Sequence, residues 1–130
     1  MNKGKRLLII DDDPDFREAL RISLESLGYE VSVAGDLDSG YKAIHDFLPD
    51  LLILDVMMER LDDGFRMCYD LKHDPSYRNL PVVIVTSVTQ ATGLKFNPET
   101  DGEYLEADAY FQKPVSIEEL VATIKRLLKE

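Results

Sequence analysis

The 130-residue chain is long enough to bury one hydrophobic core but not two, so residues 1–130 are expected to form a single domain. Its 25 acidic residues outnumber its 15 Lys and Arg residues, and the net charge of −10 disfavours direct binding of nucleic acid or of anionic membrane surfaces. One cysteine cannot form an internal disulfide, and no apolar run approaches the roughly 20 residues that span a bilayer, so a cytoplasmic protein without membrane insertion is expected.

Five short runs are predicted to be strands because they are uninterrupted apolar stretches or alternate between apolar and polar residues. They lie at 6–10, 29–34, 51–54, 80–85 and 108–111. The third run consists of four consecutive Leu or Ile residues, which is typical of a strand covered on both faces. The second run alternates, which predicts an edge strand with one face in water.

Helical patterns follow every predicted strand except the fourth, and the first and last of them begin with typical start residues. Asp13 and Pro14 are typical of a cap and a first helical position. A second helix is predicted from about Leu37, and Ser116 with Glu119 forms a capping box before the last helix. Alternating strands and helices predict an α/β fold with a parallel, doubly wound sheet.

The connection between the fourth and fifth predicted strands, residues 87–107, lacks a helical pattern. Gly93, Pro98 and Gly102 interrupt it, at a cost to a helix interior of about 1 kcal/mol per glycine and about 3 kcal/mol for proline. We therefore expect an irregular segment in place of the fourth helix.

Polar residues follow four of the predicted strands. Asp11 and Asp12 come after the first strand, Asp55 after the third, Thr86 after the fourth and Lys113 close after the fifth. Right-handed crossovers bring the carboxyl ends of parallel strands to the same edge of a sheet, where open α/β sheets bind their ligands. These side chains are therefore expected to meet on one rim.

A cluster of three carboxylates within about 5 Å repels by a few kcal/mol per pair, so it must either take up protons or hold a cation. Oxygen ligands without imidazole or thiolate favour a hard ion such as Mg²⁺. Beside such an ion Asp55 can act as a nucleophile toward phosphorus, with Lys113 and Thr86 supplying a cation and a hydroxyl to the phosphoryl oxygens. The expected product is an aspartyl phosphate.

Four motifs carry a family resemblance that covers the whole chain. IIDDDP at 9–14, LILDVMM at 52–58, VTS at 85–87 and FQKP at 111–114 resemble the signatures of response-regulator receiver domains of two-component signalling. The resemblance implies a flavodoxin-like sandwich with five parallel strands in the order 2-1-3-4-5. It also implies that the protein is a signalling switch and not an enzyme. Such a switch accepts a phosphoryl group and assists its own phosphorylation and dephosphorylation.

The resemblance implies roles for individual residues. It makes Asp55 the phosphoacceptor, Asp12 a direct Mg²⁺ ligand, Asp11 a water-mediated one, and Met57 a ligand through its backbone carbonyl. The phosphoryl group would come from a histidine kinase or a phosphotransfer protein, and a downstream protein that the sequence does not name would read the signal.

Two further features follow from the same resemblance. Thr86 and Tyr110 resemble the hydroxyl and the aromatic residue that change position on phosphorylation in such domains. The bond between Lys113 and Pro114 is a candidate cis peptide.

Two other functions remain open from the sequence. Asp11, Asp12 and Asp13 also resemble the Asp-x-Asp motif of haloacid-dehalogenase-like phosphatases, although that family needs a further acidic motif after its lysine and only 17 residues follow Lys113. A domain with the receiver fold could also act as an interaction module that signals without phosphorylation. Treatment with acetyl phosphate and Mg²⁺ distinguishes these functions.

Overall fold

The computed structural model describes residues 5–55, 63–87 and 107–129, with positions 63–65 and 86–87 described by their backbone alone. The strands are β1 Arg6–Ile10, β2 Glu30–Ala34, β3 Leu51–Asp55, β4 Val82–Ser87 and β5 Ala109–Lys113. The helices within these ranges are α1 Pro14–Glu25, α2 Leu37–Phe47, α3 Asp63–Lys72 and α4 Ile117–Leu127.

The five strands form one sheet in the order β2-β1-β3-β4-β5, and every neighbouring pair is parallel. This arrangement confirms the predicted fold, including the edge position of β2. At the carboxyl edge Ile10 lies opposite both Ala34 and Leu54, and Asp55 lies opposite Val85. The residues that leave β1, β3 and β4 therefore start from one rim of the sheet.

Two apolar layers cover the sheet, one on each face. Successive residues of a strand point to opposite faces, so Leu7 and Ile9 enter one layer while Leu8 and Ile10 enter the other. The layer with Leu7 contains residues of α1 and α4, and the layer with Leu8 contains residues of α2 and α3. The uninterrupted apolar run of β1 is the sequence signature of this double burial.

The predicted helix caps are present at α1 and α4. The Asp13 carboxylate accepts hydrogen bonds from the backbone N–H groups of Asp15 and Phe16, at 3.0 and 3.3 Å. The Ser116 hydroxyl accepts a bond from the Glu119 N–H at 3.4 Å. These bonds satisfy donors that the first turn of a helix leaves unpaired, and at α1 they fix the turn between β1 and the helix.

Two leucines that continue the apolar spacing of α1 and α2 are exposed. Leu27 is 42% exposed because α1 ends at Glu25, before the apolar spacing runs out. Leu48 is 60% exposed because it follows α2 in the left-handed conformation, with φ 55°, which turns its side chain away from the helix face. The end of a helix, rather than its apolar spacing, decides where these two side chains go.

A partly buried ion pair lies at the amino-terminal edge of the sheet. The ammonium of Lys72, whose side chain is 8% exposed, donates to the Leu80 carbonyl and to the Asp108 carboxylate, both at 2.8 Å. The same Asp108 oxygen accepts from the Val82 N–H at 2.8 Å, and the Asp108 N–H donates to the Val82 carbonyl at 2.9 Å. These bonds join the end of α3 to the starts of β4 and β5. The other end of β5 carries Lys113.

In the part of the chain that the structure describes, no helix combines the length and the apolar character needed to cross a membrane. The predicted irregular segment falls almost entirely outside the described residues, since only its ends at 87 and 107 lie within them.

Candidate functional site

Three carboxylates meet at the carboxyl edge of the sheet. Asp11 follows β1 directly, Asp12 is the next residue, and Asp55 is the last residue of β3. One oxygen from each lies within 4.8 Å of the other two. Asp11 and Asp55 are 0% and 1% exposed, whereas Asp12 is exposed, so the cluster is buried on one side and open to solvent on the other.

Lys113, the last residue of β5, provides the cation of this cluster. Its ammonium lies 2.8 Å from an Asp11 oxygen and 3.7 Å from an Asp55 oxygen. It also lies 4.2 Å from the centre of the Phe16 ring, at a distance typical of a cation–π contact. With a side chain only 18% exposed, Lys113 is held between two buried carboxylates and an aromatic face.

The Asp11 side chain and main chain are held from several directions. Its second carboxylate oxygen accepts from the Asp13 N–H at 2.9 Å. Its N–H donates to the Ala34 carbonyl at 3.0 Å, which continues the pairing of β1 with β2. Its carbonyl accepts from the Arg17 guanidinium at 2.7 Å. The loop between β1 and α1 therefore holds its first acidic residue in a fixed orientation.

The electrostatics of the site suit a divalent cation. Two unit charges 4.8 Å apart repel by about 3.5 kcal/mol at an effective dielectric near 20. Counted at full charge, the three carboxylates exceed the Lys113 ammonium by two negative charges, which a doubly charged ion would balance; the nearby Arg17 guanidinium bonds the Asp11 carbonyl rather than a carboxylate. The donors in this cluster are all carboxylate oxygens, which is the set that Mg²⁺ prefers. The residues present therefore fit a magnesium ion.

The other residues with predicted roles are placed only in part. Thr86 lies in β4 one position beyond Val85, the pairing partner of Asp55. Only the backbone of Thr86 is described. Tyr110 lies in β5, half-buried against the layer of α2 and α3. The peptide bond between Lys113 and Pro114 is cis, as predicted. Met57 lies outside the described residues, and all of these chemical roles stay predictions.

Two site contacts were not found from the sequence. The sequence pattern assigns no role at the site to Phe16 or Arg17. Both contacts are made by side chains that reach from the first turns of α1 to the strand ends, and no periodicity in the sequence shows such a reach. The available signal was proximity alone, since both residues lie within six positions of Asp11.

A sequence model of the response regulator receiver domain matches residues 7–125 of the chain. The chain therefore belongs to the response-regulator receiver domain family, as the four motifs predicted. Receiver domains are signalling components of two-component systems, and this membership leaves the phosphatase-like alternative without support.

Two curated relatives match nearly the whole chain. The DNA-binding dual master transcriptional regulator RpaA of Synechocystis is 36% identical over 124 residues, which are 95% of this chain and 49% of that protein. The response regulator MprA of Mycobacterium ulcerans is 37% identical over 124 residues, 95% of this chain and 50% of its own. The chain thus spans about half the length of the curated relatives it matches.

Solved structures show the same fold. The signal receiver domain of a DNA binding response regulator from Colwellia psychrerythraea superposes with a TM-score of 0.83 at 28% identity, covering 98% of this chain and all of that chain. A CheY-like receiver domain protein from Methanospirillum hungatei gives a TM-score of 0.78 at 26% identity, over 96% of this chain and 94% of the other.

Proposed function

We propose that the chain is a phosphorylation switch in which Asp55 accepts a phosphoryl group from a histidine kinase or a phosphotransfer protein. Asp11, Asp12, Asp55 and the Met57 carbonyl would hold a Mg²⁺ ion. The observation that carries the proposal is the placement of Lys113, whose ammonium reaches both buried carboxylates at the carboxyl edge of the sheet.

Asp55 is suited to the role of nucleophile. It ends the central strand, where its backbone pairs with Val85 of β4 and the preceding residue, Leu54, pairs with both neighbouring strands. Its carboxylate belongs to the cluster that opens at Asp12. A rigid nucleophile can be placed in line with the bond to be broken without a further loss of entropy. An Asp55 oxygen would attack phosphorus, and the bond from phosphorus to the donor histidine nitrogen would break. The electron pair returns to that nitrogen, which takes up a proton from solvent.

Lys113 is suited to balance charge on the transferred group. Its ammonium lies 3.7 Å from an Asp55 oxygen, within reach of an oxygen of a phosphoryl group attached to that carboxylate through phosphorus. When bound, Mg²⁺ supplies a second positive charge to the same oxygens. The Thr86 hydroxyl would donate a hydrogen bond to another phosphoryl oxygen, because Thr86 directly follows Val85, the residue that pairs with Asp55.

The signal would leave the site through Thr86 and Tyr110. Thr86 lies near the carboxyl end of β4, and Tyr110 is the second residue of the neighbouring strand β5. Tyr110 pairs with Ile84, so it lies two positions from Thr86 in the register. A phosphoryl group that draws Thr86 toward Asp55 would open space next to Tyr110 and shift the population of its rotamers. A downstream protein would bind the surface around Tyr110 in one of its two rotamer states. This chain would not itself contact nucleic acid.

Incubation with acetyl phosphate and Mg²⁺, followed by intact mass measurement, tests the proposal. The parent protein should gain one phosphoryl group, and Asp55→Asn should gain none. Asp46→Asn, which changes an exposed carboxylate on α2, is the matched control and should be labelled like the parent. A parent protein that stays unlabelled would favour a receiver fold that signals without phosphorylation.

A further inference from the structure

The peptide unit between Asp11 and Asp12 sets the relative orientation of two of the three carboxylates, because it joins their Cα atoms. Its carbonyl oxygen belongs to Asp11 and accepts a hydrogen bond from the Arg17 guanidinium at 2.7 Å. Hydrogen bonds with a charged donor are about twice as strong as neutral ones. Arg17 therefore holds the plane of the peptide that carries the exposed carboxylate of the cluster.

Arg17 reaches this carbonyl through a gap that Gly35 leaves. Gly35 follows β2, whose last residue Ala34 accepts the Asp11 N–H at 3.0 Å. A Cβ atom added to Gly35 would lie 2.7 Å from the bonded Arg17 nitrogen and 3.4 Å from the central guanidinium carbon. Among the described residues, the three nearest heavy atoms all belong to the Arg17 guanidinium, so a methyl group at this position would displace the guanidinium first.

The backbone of Gly35 does not itself require glycine. Among the described glycines only Gly28 has a positive φ. An alanine at position 35 therefore brings no backbone strain, and its effect is confined to the space that the guanidinium occupies.

We propose that Arg17 is a positioning residue of the magnesium site and that Gly35 is the small residue that admits its guanidinium. This inference rests on the proposed function, since it assigns Arg17 to the orientation of the Mg²⁺ ligands Asp11 and Asp12. Arg17 acts through the Asp11 carbonyl and touches neither the metal nor the phosphoryl group.

The sign of the effect on Mg²⁺ affinity separates positioning from simple charge. Arg17 is a cation close to a site that binds a cation, so its charge alone opposes Mg²⁺. Removing that charge would tighten Mg²⁺ binding if Arg17 acted only through its electrostatic field. If Arg17 positions the ligands, its removal weakens binding instead, because the peptide between the two carboxylates is no longer held.

Mg²⁺ titrations followed by the backbone amide signals of ¹⁵N-labelled protein, without a phosphodonor, measure this affinity. Arg17→Met and Gly35→Ala should each raise the Mg²⁺ dissociation constant, by up to about tenfold, the lower range for groups that orient metal ligands. Gly35→Ala keeps every charge of the protein, so its effect reports displacement alone. The double variant should bind Mg²⁺ no more weakly than Arg17→Met, because there is no longer a guanidinium for the new methyl group to displace.

Arg21→Met is the matched control. Arg21 lies one turn further along α1 and pairs with Glu18 and Glu25. Its replacement by methionine removes the same charge as Arg17→Met. It should leave the dissociation constant within about twofold of the parent value, because exposed charges at this distance are screened by salt. The amide spectrum of each variant also shows whether the protein is folded.

Three results would overturn the inference. Unchanged or tighter Mg²⁺ binding in Arg17→Met would show that Arg17 does not position the ligands, and tighter binding would show that its charge opposes the ion. Full additivity of the two substitutions in the double variant would show that Gly35 acts independently of Arg17. A parent protein that binds no Mg²⁺ would overturn the proposed function together with this role, whereas the first two results would overturn only the role of Arg17.

Discussion

Replacing Lys113 with methionine isolates the charge that holds the site together. Methionine keeps an unbranched stem of similar length next to Phe16 but removes the ammonium that lies between Asp11 and Asp55. Two carboxylates that are 0% and 1% exposed are then left without that cation. We expect the metal-free variant to be markedly less stable than the parent.

The distances give the size of the effect. At an effective dielectric near 20, unit charges at the observed 2.8 and 3.7 Å attract by about 6 and 4.5 kcal/mol. The cost of removing the ammonium from water offsets most of this attraction, and breaking a buried pair typically costs about 3 to 5 kcal/mol. Because the Lys113 side chain keeps 18% of its exposure, a loss of about 3 kcal/mol, or on the order of 10 °C in melting temperature, is expected.

Urea unfolding followed by far-UV circular dichroism, with either EDTA or Mg²⁺, measures this loss. In EDTA Lys113→Met should unfold at lower urea than the parent. Mg²⁺ should restore part of the difference, since the ion supplies the missing positive charge to the folded state only. Lys125→Met, at an exposed position of α4, should match the parent under both conditions. Equal stability of Lys113→Met and the parent in EDTA would refute the account of a cation-dependent cluster.

Three other predictions follow from named contacts. Asp12→Ala should weaken the rise in melting temperature caused by Mg²⁺, and an unchanged Mg²⁺ titration would count against Asp12 as a ligand. Lys72→Met should destabilise the protein by about 2 kcal/mol in urea unfolding, below the usual range for a buried pair because Asp108 is 34% exposed; a loss under 0.5 kcal/mol would contradict this. The Ser39 N–H and hydroxyl that donate to Asp36 lower the pKa of that carboxyl below its usual 3.8. The contribution of the ionised Asp36 cap to the free energy of unfolding is therefore present above about pH 4 and is lost as the pH falls through the folded-state pKa. The loss of stability in Asp36→Asn at pH 7 should accordingly shrink at pH 3. A loss that does not depend on pH would contradict this.

The parallel sheet and the meeting of Asp11, Asp12, Asp55 and Lys113 could be predicted because both depend on local patterns and on one general rule, whereas the strand order was implied by the family resemblance. Uninterrupted apolar runs mark strands buried on both faces, and right-handed crossovers bring the carboxyl ends of such strands to one edge. No long-range contact has to be known in advance to place these four residues on the same rim.

Strand ends were less predictable because they depend on pairing between distant residues. The fourth and fifth strands were expected to stop at 85 and 111, where apolar residues end, but each continues for two residues. Thr86 and Ser87 pair with Gln112 and Lys113, so the ladder runs through polar positions. This pairing places Lys113 in the sheet rather than after it.

Side chains that reach across the site could not be predicted at all. The contacts of Phe16 with Lys113 and of Arg17 with the Asp11 carbonyl depend on rotamers and on the space next to Gly35. Neither rotamers nor such space leave a periodic trace in the sequence.

The most direct test of the central claim locates the phosphoryl group chemically. After treatment with acetyl phosphate and Mg²⁺, borohydride reduces an acyl phosphate to a primary alcohol, and peptide mass mapping then identifies the residue that carried it. We predict homoserine in place of Asp55, with Asp11 and Asp12 unmodified. Reduction at another carboxylate, or at none in a protein shown to bind Mg²⁺, would contradict the assignment of Asp55 as the phosphoacceptor.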